Sequence, residues 1–211
     1  MRTDELIAML AREPRPADAV GRRYAVALAA GGVGSVALMF FLFGPRPDLA
    51  QAVRDPAFWL KLLLPAALAA AALGAVVRLG RPGRRVGYAA EALLLPVGVV
   101  WMLAAYALFA AAPGGRLALV LGETWTTCAL SIALLSLPVL ASAFWAMRGL
   151  APTRPALAGA ASGLLAGAVG AVAYSVHCPE IAPPFLGTWY VLGMALPAAA
   201  GALAGPRLLR W

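Results

Sequence analysis

Residues 24–43 read YAVALAAGGVGSVALMFFLF, twenty consecutive positions without a charge. At 1.5 Å of rise per residue, a helix of about this length crosses the roughly 30 Å hydrocarbon core of a bilayer. The same reading repeats downstream. Charge-free or nearly charge-free runs cover 62–77, 89–111, 124–147, 155–176 and 188–203. The run at 62–77 is short, so the helix is expected to start near Phe58, with Lys61 snorkelling to the interface. Turn and breaker residues sit between the runs: Gly44-Pro45-Arg46-Pro47, Gly80-Arg81-Pro82-Gly83, Pro113-Gly114-Gly115, Pro152-Thr153-Arg154-Pro155, and the stretch from Pro179 through Pro184.

Composition agrees with that reading. Of 211 residues, 63% are hydrophobic and 12% charged, with a mean hydropathy of +0.84. A soluble domain is nearer 45–50% apolar and about 25% charged. The expected fold class is therefore all-α: a polytopic membrane protein, a bundle of six transmembrane helices. The expected organisation is a cytoplasmic N-terminal segment (1–23), a six-helix transmembrane domain (24–206) and a short cytoplasmic tail (207–211). Positioning by Lys and Arg sets the orientation. With both termini in the cytoplasm, thirteen arginines fall inside and Arg46, Arg54, Lys61 and Arg116 fall outside, as the positive-inside rule requires. That places the chain in a bacterial inner membrane as a multi-pass protein. It also accounts for the net charge of +8 through contact with an anionic lipid leaflet, without direct nucleic-acid binding. No small-residue cleavage site follows the first helix, so it reads as an uncleaved anchor.

No nucleotide loop, zinc-protease helix or serine elbow occurs, and the single histidine excludes a His-rich cofactor site. The chain reads as neither an enzyme nor a cofactor carrier. Intramembrane acids are the usual pointer to transport. Glu91 lies near one end of helix 3, close to Arg84 and Arg85, and Glu123 lies at the lip of helix 4. Both read as interfacial groups. A small membrane transporter or channel is the alternative function.

The cysteines carry more. Cys128 lies about a turn into helix 4 and Cys178 just past helix 5, so both belong to the outer, oxidising face. His177 and Glu180 flank Cys178. Three readings stand open: two unrelated cysteines, one a buried apolar packer; a disulfide or redox pair; or a thiophilic metal site drawing on Cys128, His177 and Cys178.

Small residues recur every fourth position: Gly159, Gly163 and Gly167; Gly201 and Gly205; Ala27, Gly31 and Ser35; Ala66, Ala70 and Gly74. Such stripes let helix backbones approach closely in lipid and predict a compact bundle or a homodimer face. The stripe on helix 5 also offers a smooth surface along which helices 4 and 5 could shift. At the N-terminus, Thr3 suits a cap and Asp4 and Glu5 a first helical turn. Leu6, Ile7 and Leu10 share one face before Pro14 and Pro16. This short amphipathic helix fits a partner's groove or a bilayer surface. In the loop 44–58, the stretch from Asp48 to Val53 reads as a short interfacial helix.

Several of these elements resemble the NrsF family, six-helix membrane anti-sigma factors named as negative regulators of sigma F. They are Thr3-Asp4-Glu5-Leu6-Ile7, Phe58-Trp59-Leu60-Lys61, Pro152-Thr153-Arg154-Pro155, His177-Cys178-Pro179-Glu180, Trp189-Tyr190 and Gly205-Pro206-Arg207-Leu208-Leu209-Arg210-Trp211. The resemblance implies a protein that holds an extracytoplasmic-function sigma factor at the inner membrane. Release would follow an envelope, oxidative or metal stress signal. It implies sensing at a periplasm-side pair matching Cys128 and Cys178, beside His177 and Glu180. It also implies a sigma contact through Asp4, Glu5, Leu6, Ile7 and Leu10.

Overall fold

The computed structural model describes residues 5, 17–81, 83, 87–150 and 152–210, and the described residues form helices, turns and loops without strands. Six helices are long and apolar enough to cross a membrane. They are α1 (Ala17–Leu42), α2 (Pro56–Leu79), α3 (Ala89–Ala110), α4 (Trp125–Met147), α5 (Pro155–Ser175) and α6 (Val191–Leu208). A short helix (Arg116–Leu121) precedes α4, and a helical turn (Pro183–Phe185) with a π-helical turn (Leu186–Tyr190) leads into α6. The expected helix in the 44–58 loop is present as Leu49–Ala52.

Helix ends differ from the charge-free runs where charge and helix propensity diverge. Helix α1 starts at Ala17, ahead of Tyr24, since arginine is a good helix former and Arg22 and Arg23 do not interrupt it. Helix α6 continues past Leu203 to Leu208 with Pro206 inside it. The start of α2 is set locally: the Asp55 side chain accepts the Ala57 N–H at 2.9 Å, and Pro56 takes the first helical position.

Helix α5 sits at the centre, against α6, α4 and α2, while α1 packs on α4 and α3 leans on α2 and the turns before α6. The α5–α6 contact is made backbone to backbone. A Cβ at Gly159 would collide with the Gly201 carbonyl, and one at Gly163 with the Pro197 carbonyl. In the reverse direction, Gly201 meets the Gly159 carbonyl and Gly205 that of Pro155. Two of the small-residue stripes are thus spent on each other inside the bundle. The sliding surface expected on helix 5 is instead a clasp, because carbonyls of α6 fill the grooves between its glycines. The α2 stripe behaves differently: a Cβ at Gly74 would meet nothing within 4 Å.

Midway along the membrane-spanning part of α1, the Ser35 hydroxyl donates to the Leu135 carbonyl of α4 at 2.6 Å. Interhelical hydrogen bonds of this kind average about 0.6 kcal/mol in membrane bundles. Ser35→Ala is expected to lower stability by about that amount, read from unfolding in a mixed micelle of mild and denaturing detergent.

The two ends of the bundle differ in chemistry. At one end, Arg23 Nη2 donates to the Trp145 carbonyl at 2.9 Å and its guanidinium lies 4.3 Å from the Trp145 ring centroid. Arg148 Nε donates to the Leu208 carbonyl at 3.2 Å. These bonds tie α1, α4 and α6 together, and Arg22, Arg78, Arg154 and Arg207 belong to the same end. Arg2, Arg12, Arg15, Arg84 and Arg85, also expected there, lie outside the described residues. Between the ends, large apolar side chains such as Phe41, Leu94, Met102, Tyr106, Phe109 and Leu203 are exposed. Water-soluble monomers rarely carry so continuous an apolar surface, and the six helices are compatible with a multi-pass membrane protein.

Candidate functional site

The end opposite the arginines holds both cysteines. The turn before α4 passes through Gly122 at φ +55, a left-handed conformation that glycine takes without strain. Helix α4 then starts at Trp125 and buries Cys128 one turn in. Helix α5 stops at Ser175, and the chain folds back so that His177 and Cys178 both donate their N–H groups to the Tyr174 carbonyl at 3.0 Å. This returns Cys178 beneath the start of α4. Both cysteines are free thiols with no exposed surface. The Cys128 and Cys178 side chains are close enough to act on each other, and Thr124 Oγ1 lies 3.9 Å from Cys178 Sγ. Fifty residues apart in sequence, they are neighbours here.

Lys61 completes the cluster. Rather than snorkelling outward, it is only 2% exposed and donates from Nζ to the Cys178 carbonyl at 2.6 Å. Its ammonium lies 5.4 Å from the Tyr190 ring centroid. The reason is geometric. Lys61 shares a helix face with Leu64 and Leu68, which face the core, so its side chain enters the bundle with them. Cys128, aided by the Lys61 ammonium and opposed by burial, holds the Cys178 thiol below its usual pKa.

The remaining expected residues lie around this pair. Glu180 Oε1 accepts the Glu123 N–H at 2.7 Å and stands over Gly122, so it ties the Cys178 turn to the start of α4. His177 Nδ1 pairs with the Gly44 carbonyl at 3.0 Å, and its ring packs against Phe43 and Tyr174. His177 therefore fastens the end of α1. Among the described residues no three His, Cys, Asp or Glu side chains gather to hold a metal ion, so the set Cys128, His177 and Cys178 does not assemble. The site offers two adjacent sulfurs, which can join as a disulfide or share a soft metal ion. Nearby, the Arg46 N–H bonds the Val176 carbonyl at 3.2 Å. The Arg46 guanidinium forks onto Asp48 at 2.6 and 2.5 Å and holds that carboxyl below its usual range.

Two tryptophans hold the π-helical turn that carries Tyr190. Trp101 Nε1 donates to the Gly187 carbonyl and Trp189 Nε1 to the Val120 carbonyl, each at 2.9 Å. Sequence reasoning missed Lys61, Tyr190 and both clamps. Only Lys61 carried a usable signal, as an ionisable group within an apolar run. At the N-terminus, Asp4, Leu6, Ile7 and Leu10 lie outside the described residues; Glu5 is helical and exposed.

The family described as negative regulator of sigma F, NrsF, matches residues 10–211 of the chain. A protein of Azospira oryzae named probable anti-sigma-F factor NrsF is 48% identical over 213 residues, with all of both chains covered. The anti-sigma-F factor NrsF of Caulobacter vibrioides is 41% identical over 221 residues, again with full coverage of both. No solved structure matches the chain significantly.

Proposed function

The chain belongs to the NrsF family of negative regulators of sigma F, and from that membership we propose a multi-pass anti-sigma factor of the bacterial inner membrane. It holds an extracytoplasmic-function sigma factor at the cytoplasmic face and releases it when an oxidative or metal stress signal reaches Cys128 and Cys178. The role is regulatory and not enzymatic. The observation that carries the sensing half is the contact between two buried thiols brought by α4 and by the turn after α5. The distribution of charge supports the orientation: the arginine-rich end faces the cytoplasm, which puts the thiols at the periplasmic side, where disulfides form and persist.

The sigma contact is proposed at residues 1–23, through Asp4, Glu5, Leu6, Ile7 and Leu10, with the bundle 24–206 as anchor and receiver and 207–211 as a cytoplasmic tail. Leu6→Asp with Leu10→Asp is expected to cut co-purification of the sigma factor at least about tenfold, since each aspartate would place a charge in an apolar contact, and a factor of ten needs only about 1.4 kcal/mol. The measurement is capture of sigma factor on detergent-solubilised, tagged full chain. Undiminished capture moves the contact to the loops at the arginine end. Reporter fusions that place residues 1 and 211 on opposite sides of the membrane overturn the orientation.

A further inference from the structure

Among the described residues, no carboxylate pairs with the buried Lys61 ammonium. Toward the turn after α5 it meets the Cys178 carbonyl at 2.6 Å. Toward α6 it meets the face of Tyr190, a phenol without exposed surface whose hydroxyl lies 3.4 Å from Ser175 Oγ. Toward α3 lies a cleft of about 500 Å³ lined by Leu60, Leu64, Val100, Leu103, Pro183, Leu186 and other apolar residues, with no acid among them. Toward the 44–48 loop stands Arg46, a like charge. Tyr174 of α5 faces the sulfurs as a second phenol. Glu180, whose charge acts on Cys128, is held at the start of α4 by the Glu123 N–H and is not among the groups that act on the ammonium. His177 is turned to the Gly44 carbonyl. Among the described residues, the two sulfurs are the groups in electrostatic reach of the ammonium that can supply a counter-charge.

An uncompensated ammonium in such a site is costly. A thiolate beside it removes that cost, and a thiol donating to the thiolate shares the charge further. We propose that Lys61 is a positioning residue for the thiol pair: its ammonium holds Cys178 as the thiolate and leaves Cys128 as the thiol that donates to it. Lysine, thiolate and thiol together are then neutral, which suits a buried cluster. The consequence is directional. The Cys178 thiolate attacks a hydroperoxide, taking one oxygen as a sulfenic acid while the other leaves as water or an alcohol, and the Cys128 thiol then displaces that oxygen as water to close the disulfide; a soft metal ion is likewise taken up by Cys178 first, with Cys128 following as it loses its proton. This deepens the reading of the pair as the signal receiver and rests on it.

The test is a pH titration of thiolate ultraviolet absorbance on the full chain in lipid nanodiscs, with no sigma factor present. The wild-type protein is expected to show one thiolate at neutral pH, lost on acidification. Cys178→Ser removes that signal and Cys128→Ser retains it. Lys61→Met reduces the neutral-pH thiolate about tenfold or more, toward the few per cent of an ordinary thiol, and Lys61→Arg restores it. Three results each overturn the assignment: no thiolate in the wild type, a thiolate that survives Cys178→Ser, or equal signals from wild type and Lys61→Met. The first two comparisons do not depend on the lysine variant folding. Because the titration reads only the charge on sulfur, its failure leaves stress-dependent release standing, while loss of release in a cysteine variant does not decide the titration.

Discussion

Gly163→Leu is expected to unfold the bundle in conditions where Gly74→Leu leaves it intact. Both glycines lie within helices and both belong to small-residue stripes at four-residue spacing. Their surroundings are opposite. At Gly163 the first atom of any side chain runs into the Pro197 carbonyl, and the next nearest obstacles are the Pro197 carbonyl carbon and Ala198 Cα. These are backbone atoms of α6, which cannot swing aside as a side chain can. Overpacking a core typically costs about 1–3 kcal/mol when side chains absorb it. Here the two helices must separate, which forfeits contacts along the whole clasp from Gly159 to Gly205, so the cost lies at or above the top of that range. At Gly74 a new side chain meets open space, and replacing glycine within a helix gains about 0.8 kcal/mol of helix propensity. The comparison is read from unfolding midpoints of the two variants in mixed micelles. Coincident midpoints mean that α5 and α6 are not clasped through these glycines.

That contrast also marks where the sequence stops being readable. The six apolar runs could be found because hydrocarbon thickness imposes a length, and length is visible in a string of residues. The stripes could be found as well, but not their fates. Gly163 and Gly74 look alike until it is known which helix lies across from each. The adjacency of Cys128 and Cys178 depends in the same way on how α4 meets the turn after α5, which spacing does not encode. Lys61 was visible as a charge in an apolar run. Its inward aim follows from sharing a face with Leu64 and Leu68, and the choice of that face is made by tertiary packing. The early start of α1 was obscured because charge was used as a boundary, although arginine carries a helix onward without penalty. The clamping roles of Trp101 and Trp189 left no trace in the sequence, since an indole N–H finds its carbonyl only once α3 and the Arg116–Leu121 helix lie beside the π-helical turn.

Replacing both cysteines, Cys128→Ser with Cys178→Ser, is expected to abolish stress-dependent release of the sigma factor while leaving its capture in unstressed conditions unchanged. The bundle supplies the coupling. A disulfide or a shared soft metal ion between the two sulfurs would tie the start of α4 to the turn that follows α5. Because α5 is clasped to α6, that turn cannot move without carrying both helices. At the far end, Arg148 of α4 bonds the Leu208 carbonyl of α6, and Arg23 of α1 bonds the Trp145 carbonyl of α4. A changed angle between α4 and the α5–α6 pair therefore strains contacts at the arginine end, where α1 leads from the N-terminal segment. Coupling free energies between sites are typically about 1–3 kcal/mol, which corresponds to a change in sigma affinity of about 5- to 150-fold. In the double serine variant that factor is expected to fall to one, because serine neither bridges nor binds soft metals. Capture persists, because the hydroxyls are close to the thiols in size and the N-terminal segment is untouched. The measurement is retention of sigma factor on nanodisc-bound protein with and without an oxidant or a thiophilic metal salt. Release that survives in the double variant removes the thiols from the signalling path. Capture lost without any stress assigns the cysteines to packing instead.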